Sequence, residues 1–423
     1  MRRAALFVLI LLLAGSAWTA PQDGPVYRTP NQYPVLDEIR ARRDSMSAER
    51  DSLIQIVRDS QAAESEARKD ASQSLRVDWT KIDRPDGPED FSIHLPHLPP
   101  IAQFMTGTCW SFAATSLMES EVIRLAGHQV KLSEMWTVYW EYVLKVERWV
   151  EQYGESLVST GSQSDGLLEV YERWGAVPHA AYPGVLFDDG RHDHDALHAE
   201  ITAWLDLCRE RNIWDRDHVI SVLRLILDAH LGAPPVEFAF DGRTWTPDAF
   251  RVEYLKLHPE DYIGLVSRLD TPFGEFCLLD VPDNWRRAES YLNVSLDDFT
   301  KVMKRSLERG YTFDVGGDNS EPGMDGQFDA AIVPSWDIPA AAINQGAREH
   351  RIVNGQTGDD HGLHVVGWTK EGGVGWFLIK DSNRSSRLGN HKGYYFWREE
   401  YPKLKMLTIL IHRDMVAGMM PVD

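Results

Sequence analysis

A cysteine in this chain follows a turn of small residues and precedes an amphipathic helical pattern, with a glutamine six positions upstream. The stretch runs from Gln103 through Gly107 and Cys109 to Phe112. A thiolate at a helix N-terminus is stabilised by the positive end of the helix dipole and by backbone N–H groups that lack a helical partner. The Gln103 amide and the N–H of Cys109 can both donate to an oxyanion. The pattern favours a thiol nucleophile over the ordinary alternative, a buried structural cysteine.

A thiol nucleophile needs a base, and the best-placed histidines lie in the segment 359–368. His361 and His364 stand there at the start of a β-strand pattern. Their positions differ by three, so on a strand their side chains point to opposite faces and only one can face a shared cleft. Spacing alone leaves the choice between them open.

The next strand pattern ends in polar residues, of which Asp381 directly continues the apolar run. A polar side chain at this strand end can accept a hydrogen bond from the imidazole and fix its tautomer. A carboxylate also favours the imidazolium, and therefore a thiolate–imidazolium pair. The ordinary alternative for Asp381 is a turn residue.

The elements that must position these side chains follow from hydrophobic periodicity. A helix is predicted to begin at the cysteine turn and to cover 108–126. Other helices are predicted over 135–150, 167–174, 199–211, 218–231, 248–257 and 296–309. Strands are predicted over 311–315, 364–368, 375–379, 393–397 and 406–411. The chain therefore predicts an α+β fold with the cysteine in a helical region and the histidine in a β-rich region.

Length and composition limit the class of protein. The 423 residues permit one large domain or two medium ones. A hydrophobic content of 43% and a charged content of 26% are ordinary for a globular protein with a substantial core. The net charge of −20 argues against nucleic acid and anionic membrane surfaces as partners, because like charges repel.

The first twenty residues are typical of a secretory signal. Arg2 and Arg3 precede an apolar run over 4–14 that is too short for a comfortable membrane span. Small residues follow, and we expect cleavage after Ala17 or Ala20. The protein is then expected to be exported, periplasmic or secreted, without membrane attachment after cleavage. A retained N-terminal anchor is the alternative.

The cysteines are few for an exported protein. There are three, Cys109, Cys208 and Cys277, and the odd count leaves at least one free thiol. We expect the free one to be Cys109. The other two fall in helical and apolar patterns and are expected in the core, and a bridge between them stays open.

Composition suggests five segments. After the signal at 1–20, residues 21–82 form a charged N-terminal extension, either a long surface helix or a pro-segment. A helical lobe with the nucleophile covers 83–189, a mainly helical insertion 190–310 and a β-rich lobe 311–423. The tract Arg-His-Asp-His-Asp opens the insertion, where a solvated loop is expected rather than a metal site.

Together these residues resemble the papain-like cysteine peptidases, in the order Gln, Cys, His and a polar orienting residue. The stretch 103–112 is similar to that family's nucleophile motif, with the Gln-to-Cys spacing intact. The stretch 360–368 is similar to its histidine strand, with His361 six residues before a glycine, Gly367. The resemblance implies a two-lobed fold with a helical left lobe and a β-barrel-like right lobe. It implies His361 as the base and His364 as a bystander.

Within that family the chain is most similar to the bleomycin hydrolase and aminopeptidase C branch, over about residues 85–415. The likeness is carried by the helical insertion and by the segments 161–167, 171–178, 182–183, 291–296 and 313–318. It implies peptide-bond hydrolysis of an aminopeptidase type by Cys109 and His361, with Gln103 at the oxyanion and Asp381 orienting the base. A peptide or small amide substrate is implied, with no cofactor and no metal ion.

Some features depart from that family. Asp381 stands where the family usually has Asn, and counting back from Gly393 places the equivalent position at Asn383 instead. The family's Trp after Asn-Ser is absent. We expect a short or missing C-terminal arm, and the oligomeric state, a homo-oligomer included, stays open. Two alternative hypotheses remain: a catalytically silent binding protein on the same scaffold, and an amide hydrolase acting on a small metabolite.

Overall fold

The computed structural model describes residues 33–71, 75–184, 190–319 and 322–419. The expected signal segment, 1–20, lies outside the described residues. The chain divides into two compact units, Met1–Ser74 and Leu75–Asp423.

The described part of the first unit is one long helix, α1, Pro34–Ala71. Its apolar side chains are thinly spaced, and Leu36, Ile39 and Leu53 are all exposed. A helix without an apolar stripe has no face to bury. Whether this segment is a pro-segment stays a prediction.

Nine helices are described in the second unit. They are α2 Cys109–Ala126, α3 Glu134–Glu151, α4 Gly166–Trp174, α5 Asp195–Arg211, α6 Arg216–Leu231, α7 Pro247–Ala249, α8 Leu296–Glu308, α9 Gln345–Val353 and α10 Glu400–Lys405. A π-helical turn, Phe250–Leu255, continues α7. Short 3-10 turns lie at Trp79–Lys81, Pro88–Asp90, Pro259–Asp261, Ala340–Ala342, Arg384–Arg387 and Arg413–Met415.

Thirteen strands are described. They are β1 Ile93–His94, β2 Phe238–Phe240, β3 Arg243–Trp245, β4 Tyr262–Val266, β5 Phe276–Cys277, β6 Tyr291–Asn293, β7 Phe313–Gly317, β8 Met324–Asp325, β9 Ala330–Ala331, β10 His361–Glu371, β11 Val374–Lys380, β12 Tyr394–Arg398 and β13 Met406–His412. The main sheet has the order β5-β6-β4-β13-β7-β10-β11-β12-β9-β8, with β1 paired to β10, and β2-β3 form a separate pair. The combination of these helices with a large sheet makes this an α+β fold.

The helices and the sheet each contribute to a large buried core of their own. One lies among the helices α2 to α6 and includes Leu117, Trp136 and Leu223. The other lies on the sheet and includes Val365 and Ile379. Full burial of one such aliphatic side chain stabilises the fold by about 1.5–3 kcal/mol. Helix α2, which begins at Cys109, therefore belongs to the helical core, while β10 belongs to the sheet.

Most predicted elements are present, but the interval 190–310 contains more strand than its pattern indicates. Strand β4 lies between β13 and β6 in the main sheet, and β5 pairs with β6. All five residues of β4 are buried, so the segment is a short apolar run without alternation. Such a run does not distinguish a buried strand from a buried helix segment. The interval thus contains the helices α5 to α8 together with the strands β2 to β6.

The cysteines agree with expectation, since Cys109 is free and Cys208 and Cys277 are buried, whereas the histidine tract differs from it. Cys109, Cys208 and Cys277 are all free, so the bridge left open between the last two is not formed. In the tract that was expected to be a solvated loop, His192 and His194 are buried. Among the described residues, no group of three or more His, Cys, Asp or Glu side chains is placed to hold a metal ion. None of the described helices is long and apolar enough to span a membrane.

Candidate active site

Helix α2 places the Cys109 thiol at its first turn. Thr108 is the N-cap residue, and the Thr106 hydroxyl accepts hydrogen bonds from the Thr108 N–H at 3.3 Å and from its hydroxyl at 2.8 Å. The helix runs for 18 residues and ends where Gly127 adopts a left-handed conformation, φ 74°. Cys109 is partly exposed. Its sulfur therefore lies at the positive end of a helix dipole and is accessible to a ligand.

Strand β10 brings His361 to the start of α2. His361 pairs with Gly317 of β7 and is only 6% exposed. The next residue, Gly362, packs against the helix so closely that a Cβ there would lie 3.2 Å from the Cα of Trp110. A side chain at position 362 would push the strand away from the helix. Glycine thus permits the approach that brings imidazole and thiol together.

The His361 ring lies between a thiol and a carboxylate. Its Nε2 is 2.7 Å from Oδ1 of Asp381, and Cys109 is close enough for its charge to act on the ring. Burial by itself lowers the pKa of His361, but the charge of Asp381 and that of Cys109 outweigh it and raise this pKa well above its ordinary value. With Nε2 on Asp381, Nδ1 is the nitrogen left for the thiol. The arrangement stabilises the imidazolium form of His361.

Of the two orienting candidates, Asp381 and not Asn383 contacts the imidazole. Asp381 follows β11 directly and is 3% exposed, and its backbone N–H donates to the carbonyl of Gly393 at 2.9 Å. The Asn383 side chain instead accepts from the N–H of Ser385 at 3.3 Å and caps a 3-10 turn. Its own N–H donates to Oδ1 of Asp381 at 2.9 Å. Asn383 therefore supports the carboxylate rather than the histidine.

Gln103 is held by a partner that the sequence patterns did not indicate. The Ser382 hydroxyl donates to Oε1 of Gln103 at 2.8 Å, and the Gln103 N–H donates to the Ser382 carbonyl at 3.0 Å. With its oxygen engaged, the amide presents its NH2 group for donation elsewhere. Ser382 is adjacent to Asp381, so one strand end orients both the His361 imidazole and the Gln103 amide. The only signal in the sequence was the polar character of that strand end.

The second histidine, His364, lies in an enclosed polar region. Its Nδ1 is 2.8 Å from the Ser116 hydroxyl on α2, and the residue is fully buried. Burial, together with the positive charge of Lys380 and with His97, lowers the pKa of His364 well below its ordinary value. His364 is therefore neutral and is directed to a helix side chain rather than to Cys109.

An enclosed ion cluster lies next to His364 and consists of Glu119, Lys131, Glu134 and Lys380. The ammonium nitrogen of Lys131 contacts the carboxylate of Glu119 at 2.7 Å and also that of Glu134. The ammonium nitrogen of Lys380 lies 4.0 Å from the Glu119 carboxylate. The four side chains border a small cavity of about 20 Å³ that also reaches Asp381. Glu119, Glu134 and Lys380 are buried, whereas the side chain of Lys131 is 31% exposed. The cluster thus fixes α2, α3 and β11 behind the candidate site.

Several known proteins are similar to this chain in sequence. The sequence model of the Peptidase C1-like family matches residues 51–419. The chain is 22% identical to Aminopeptidase C of Lactococcus lactis subsp. cremoris, over 78% of this chain and 84% of that protein. It is 20% identical to the mitochondrial Cysteine proteinase 1 of Saccharomyces cerevisiae, over 57% of this chain and 59% of that protein.

A solved structure has the same fold. PepW from Lactobacillus rhamnosis HN001 superposes with a TM-score of 0.62 at 18% identity, over 78% of this chain and 84% of that one. At this identity the likeness concerns the fold alone. The shared fold is papain-like, with a helix and a sheet that meet at a cleft.

Proposed function

The chain belongs to the Peptidase C1-like family and is a cysteine peptidase, and we propose that Cys109 is its nucleophile and that the protein acts as an aminopeptidase. The observation that carries this proposal is the placement of His361 between Cys109 and Asp381, with Nε2 of His361 2.7 Å from Oδ1 of Asp381. A thiol, an imidazole and an orienting carboxylate in that order are the parts that acyl transfer requires.

In the proposed acylation step, the Cys109 thiolate attacks the carbonyl carbon of a peptide bond and a new C–S bond forms. The carbonyl electrons move to oxygen, where the Cys109 N–H and the Gln103 NH2 group donate hydrogen bonds. As the C–N bond breaks, the His361 imidazolium gives its proton to the leaving amine. The products are a free amine, a neutral imidazole and a thioester on Cys109.

In the proposed deacylation step, water attacks the thioester while neutral His361 takes a proton from it. The C–S bond breaks, the acid is released and the thiolate–imidazolium pair is restored. Asp381 keeps Nε2 of the ring occupied throughout, so that Nδ1 faces the reacting atoms. Its negative charge favours the imidazolium form in the resting enzyme.

The aminopeptidase proposal is supported by relatives that are named Aminopeptidase C. It is tested with peptides that carry a free or an acetylated N-terminus, followed by identification of the products. We expect release of the first residue from the free peptide and little turnover of the acetylated one. Internal cleavage of both peptides at equal rates would contradict the exopeptidase proposal but not the peptidase assignment.

The nucleophile proposal is tested with Cys109→Ala. Loss of a catalytic nucleophile typically lowers kcat by on the order of 10⁴-fold or more. Cys208→Ala is the matched control, because Cys208 is a buried thiol in the helical core. Undiminished turnover in Cys109→Ala would contradict the proposal.

We also propose that the protein acts outside the cytoplasm. The proposal is supported by Arg2 and Arg3, the apolar run over 4–14 and the small residues after it. Fractionation of cells that express the full chain, with N-terminal sequencing of the product, tests this. Cleavage near Ala17 or Ala20 in an exported fraction is expected, whereas a cytosolic product that retains residue 1 would contradict it.

A further inference from the structure

The end of strand β11 carries one more charged residue than the proposed mechanism uses. Asp381 and Ser382 contact the proposed base and the proposed oxyanion amide. The residue before them, Lys380, is directed to helix α2 instead, where its ammonium nitrogen lies 4.0 Å from the carboxylate of Glu119. Three consecutive residues therefore join one strand end to three other parts of the molecule, and only the contact of Lys380 has no assigned role.

Glu119 is held firmly on the helix that begins at Cys109. The residue is only 1% exposed, and two donors occupy its Oε1 atom: the Lys131 ammonium at 2.7 Å and the Leu132 N–H at 3.1 Å. The other carboxylate oxygen, Oε2, is the one that faces Lys380. Because two donors hold one end of the carboxylate, the direction of its other end is fixed as well.

Lys380 depends on Glu119 for its charge. It is 7% exposed, and in the part of the chain that the structure describes Glu119 is its one ion-pair partner. Burial lowers the pKa of Lys380 to about 8, an effect that the charges of Glu119 and Glu134 oppose and that of Lys131 increases. The ammonium form therefore predominates at pH 7. A buried ammonium needs a nearby carboxylate to offset its lost hydration, so the position of Lys380 follows that of Glu119.

The backbone connects the position of Lys380 directly to that of Asp381. Lys380 is the last residue of β11 and pairs with His364 of β10 and with Tyr394 of β12. The Asp381 N–H then donates to the carbonyl of Gly393 at 2.9 Å. The residues that orient the base and the amide thus follow immediately after a residue whose side chain is tied to α2.

The alternative is that this ion pair only stabilises the contact between α2 and the sheet. A buried ion pair is a poor stabiliser, because its replacement by neutral side chains of similar size is often without effect or even stabilising. The pair joins the helix that carries the thiol to the strand end that carries the partners of the site. The small cavity that it borders, of about 20 Å³, also reaches Asp381 and Ser382. This location favours a role in the geometry of the site.

We propose that Glu119 and Lys380 are positioning residues for the reaction. Their ion pair holds the end of β11 against α2, so that Asp381 and Ser382 meet the imidazole and the oxyanion amide beside the start of that helix. Both residues act through others and not on the substrate. The inference rests on the proposed function, because the base and the oxyanion donor that it concerns are themselves proposed.

The test separates position from stability by comparing Lys380→Met with the charge-neutral double variant Glu119→Gln/Lys380→Met. The single variant leaves an excess of buried negative charge and is expected to lower the urea midpoint of unfolding. The double variant removes both charges and should recover much of that loss. With a peptide that has a free N-terminus, we expect kcat to fall by about ten- to hundred-fold in both variants and KM to stay within about three-fold, because a small misplacement of the acid–base group slows the chemical step.

The matched control is the double variant Glu121→Gln/Arg124→Met. It neutralises another ion pair of α2, whose carboxylate is buried and accepts a hydrogen bond from the Tyr262 hydroxyl at 3.0 Å. Tyr262 belongs to β4 and not to the strand end of the site. We expect this control to keep kcat within about two-fold of the wild-type value, whatever its urea midpoint.

A second measurement asks whether the effect passes through Asp381. Lys380→Met combined with Asp381→Asn should lower kcat by less than the product of the two separate losses. The proposal is overturned if kcat recovers together with the urea midpoint in Glu119→Gln/Lys380→Met, if the control loses as much kcat, or if the two losses multiply fully. Should Lys380→Met fail to fold, the charge-neutral double variant decides. If the wild-type protein hydrolyses no peptide, the proposed function fails, and this inference with it.

Discussion

The two histidines of strand β10 occupy opposite electrostatic surroundings although they are three residues apart. His361 contacts the carboxylate of Asp381, and its pKa is raised well above the ordinary value against the effect of burial. His364 contacts the Ser116 hydroxyl, and burial and Lys380 lower its pKa well below the ordinary value. One ring is therefore held as an imidazolium and the other as a neutral imidazole.

The difference originates in two consecutive residues at the end of β11. Lys380 is the register partner of His364, and the next residue, Asp381, contacts His361. Successive side chains of a strand point to opposite faces, so one strand end delivers opposite charges to the two rings. Both histidines are almost fully buried, at 6% and 0% exposure. The charge of the neighbour, and not the degree of burial, decides which histidine can act as an acid and a base.

The largest expected effect comes from removing each ring in turn. His361→Ala should lower kcat by about 10³-fold or more, because no other group beside Cys109 exchanges a proton in the proposed mechanism. His364→Ala should leave kcat within a few-fold and lower the free energy of unfolding by about 1–3 kcal/mol, because it leaves Ser116 unpaired in a cavity. Steady-state kinetics and urea unfolding measure the two quantities. A comparable loss of kcat in both variants would break the comparison.

A smaller effect is expected when the charge beside His361 is removed but its hydrogen bond is kept. Asp381→Asn should lower kcat by about ten- to hundred-fold, because a neutral amide oxygen still accepts from Nε2–H but no longer stabilises the imidazolium. Asn383→Ala is the control and should stay within about three-fold, since Asn383 caps a turn and does not contact the ring. A larger loss in Asn383→Ala than in Asp381→Asn would contradict the assignment of the orienting residue.

The smallest effect is expected at Ser382, which holds Gln103 rather than the histidine. Ser382→Ala should lower kcat by about three- to ten-fold, because a lost neutral hydrogen bond is typically about 0.5–1.5 kcal/mol and the amide would turn more freely. Gln103→Ala should cost more, about 10²-fold, by removing the donor itself. Measurement of the double variant completes the test: if Ser382 acts through Gln103, Ser382→Ala has no further effect once Gln103 is absent.

The sequence predicted the elements that carry the site because their signals are local. The helix that starts at Cys109 and the strands around His361 follow from periodicity, and Asp381 directly continues an apolar strand pattern. The pairing of Ser382 with Gln103 was not predictable, because it joins residues 279 positions apart and depends on tertiary packing. The burial of His194 was not predicted either. A tract of alternating His and Asp is typical of a solvated loop.

The strands of the insertion show a second limit of sequence patterns. Residues 262–266 are buried on every position, so neither alternation nor a helical stripe marks them. Their place between β13 and β6 is set by pairing with strands far along the chain. Local patterns identify an amphipathic element well and a fully buried one poorly.

The central claim, that His361 and Cys109 form a thiolate–imidazolium pair, is tested most directly by the pH dependence of Cys109 alkylation. Because the pKa of His361 is raised in the folded state, the imidazolium and its stabilising effect are fully present below the ordinary value of 6.5 and are lost as pH rises through the raised pKa. Cys109→Ala gives the background from Cys208 and Cys277, whose thiol pKa values are raised by burial.

We predict that the wild-type protein and His364→Ala react rapidly with iodoacetamide already at pH 6–7, on a plateau. His361→Ala should react slowly there and follow an ordinary thiol with a pKa of about 8.5. A wild-type rate that rises only near pH 8.5, or a profile that His361→Ala does not change, would contradict the ion pair and the proposed mechanism with it.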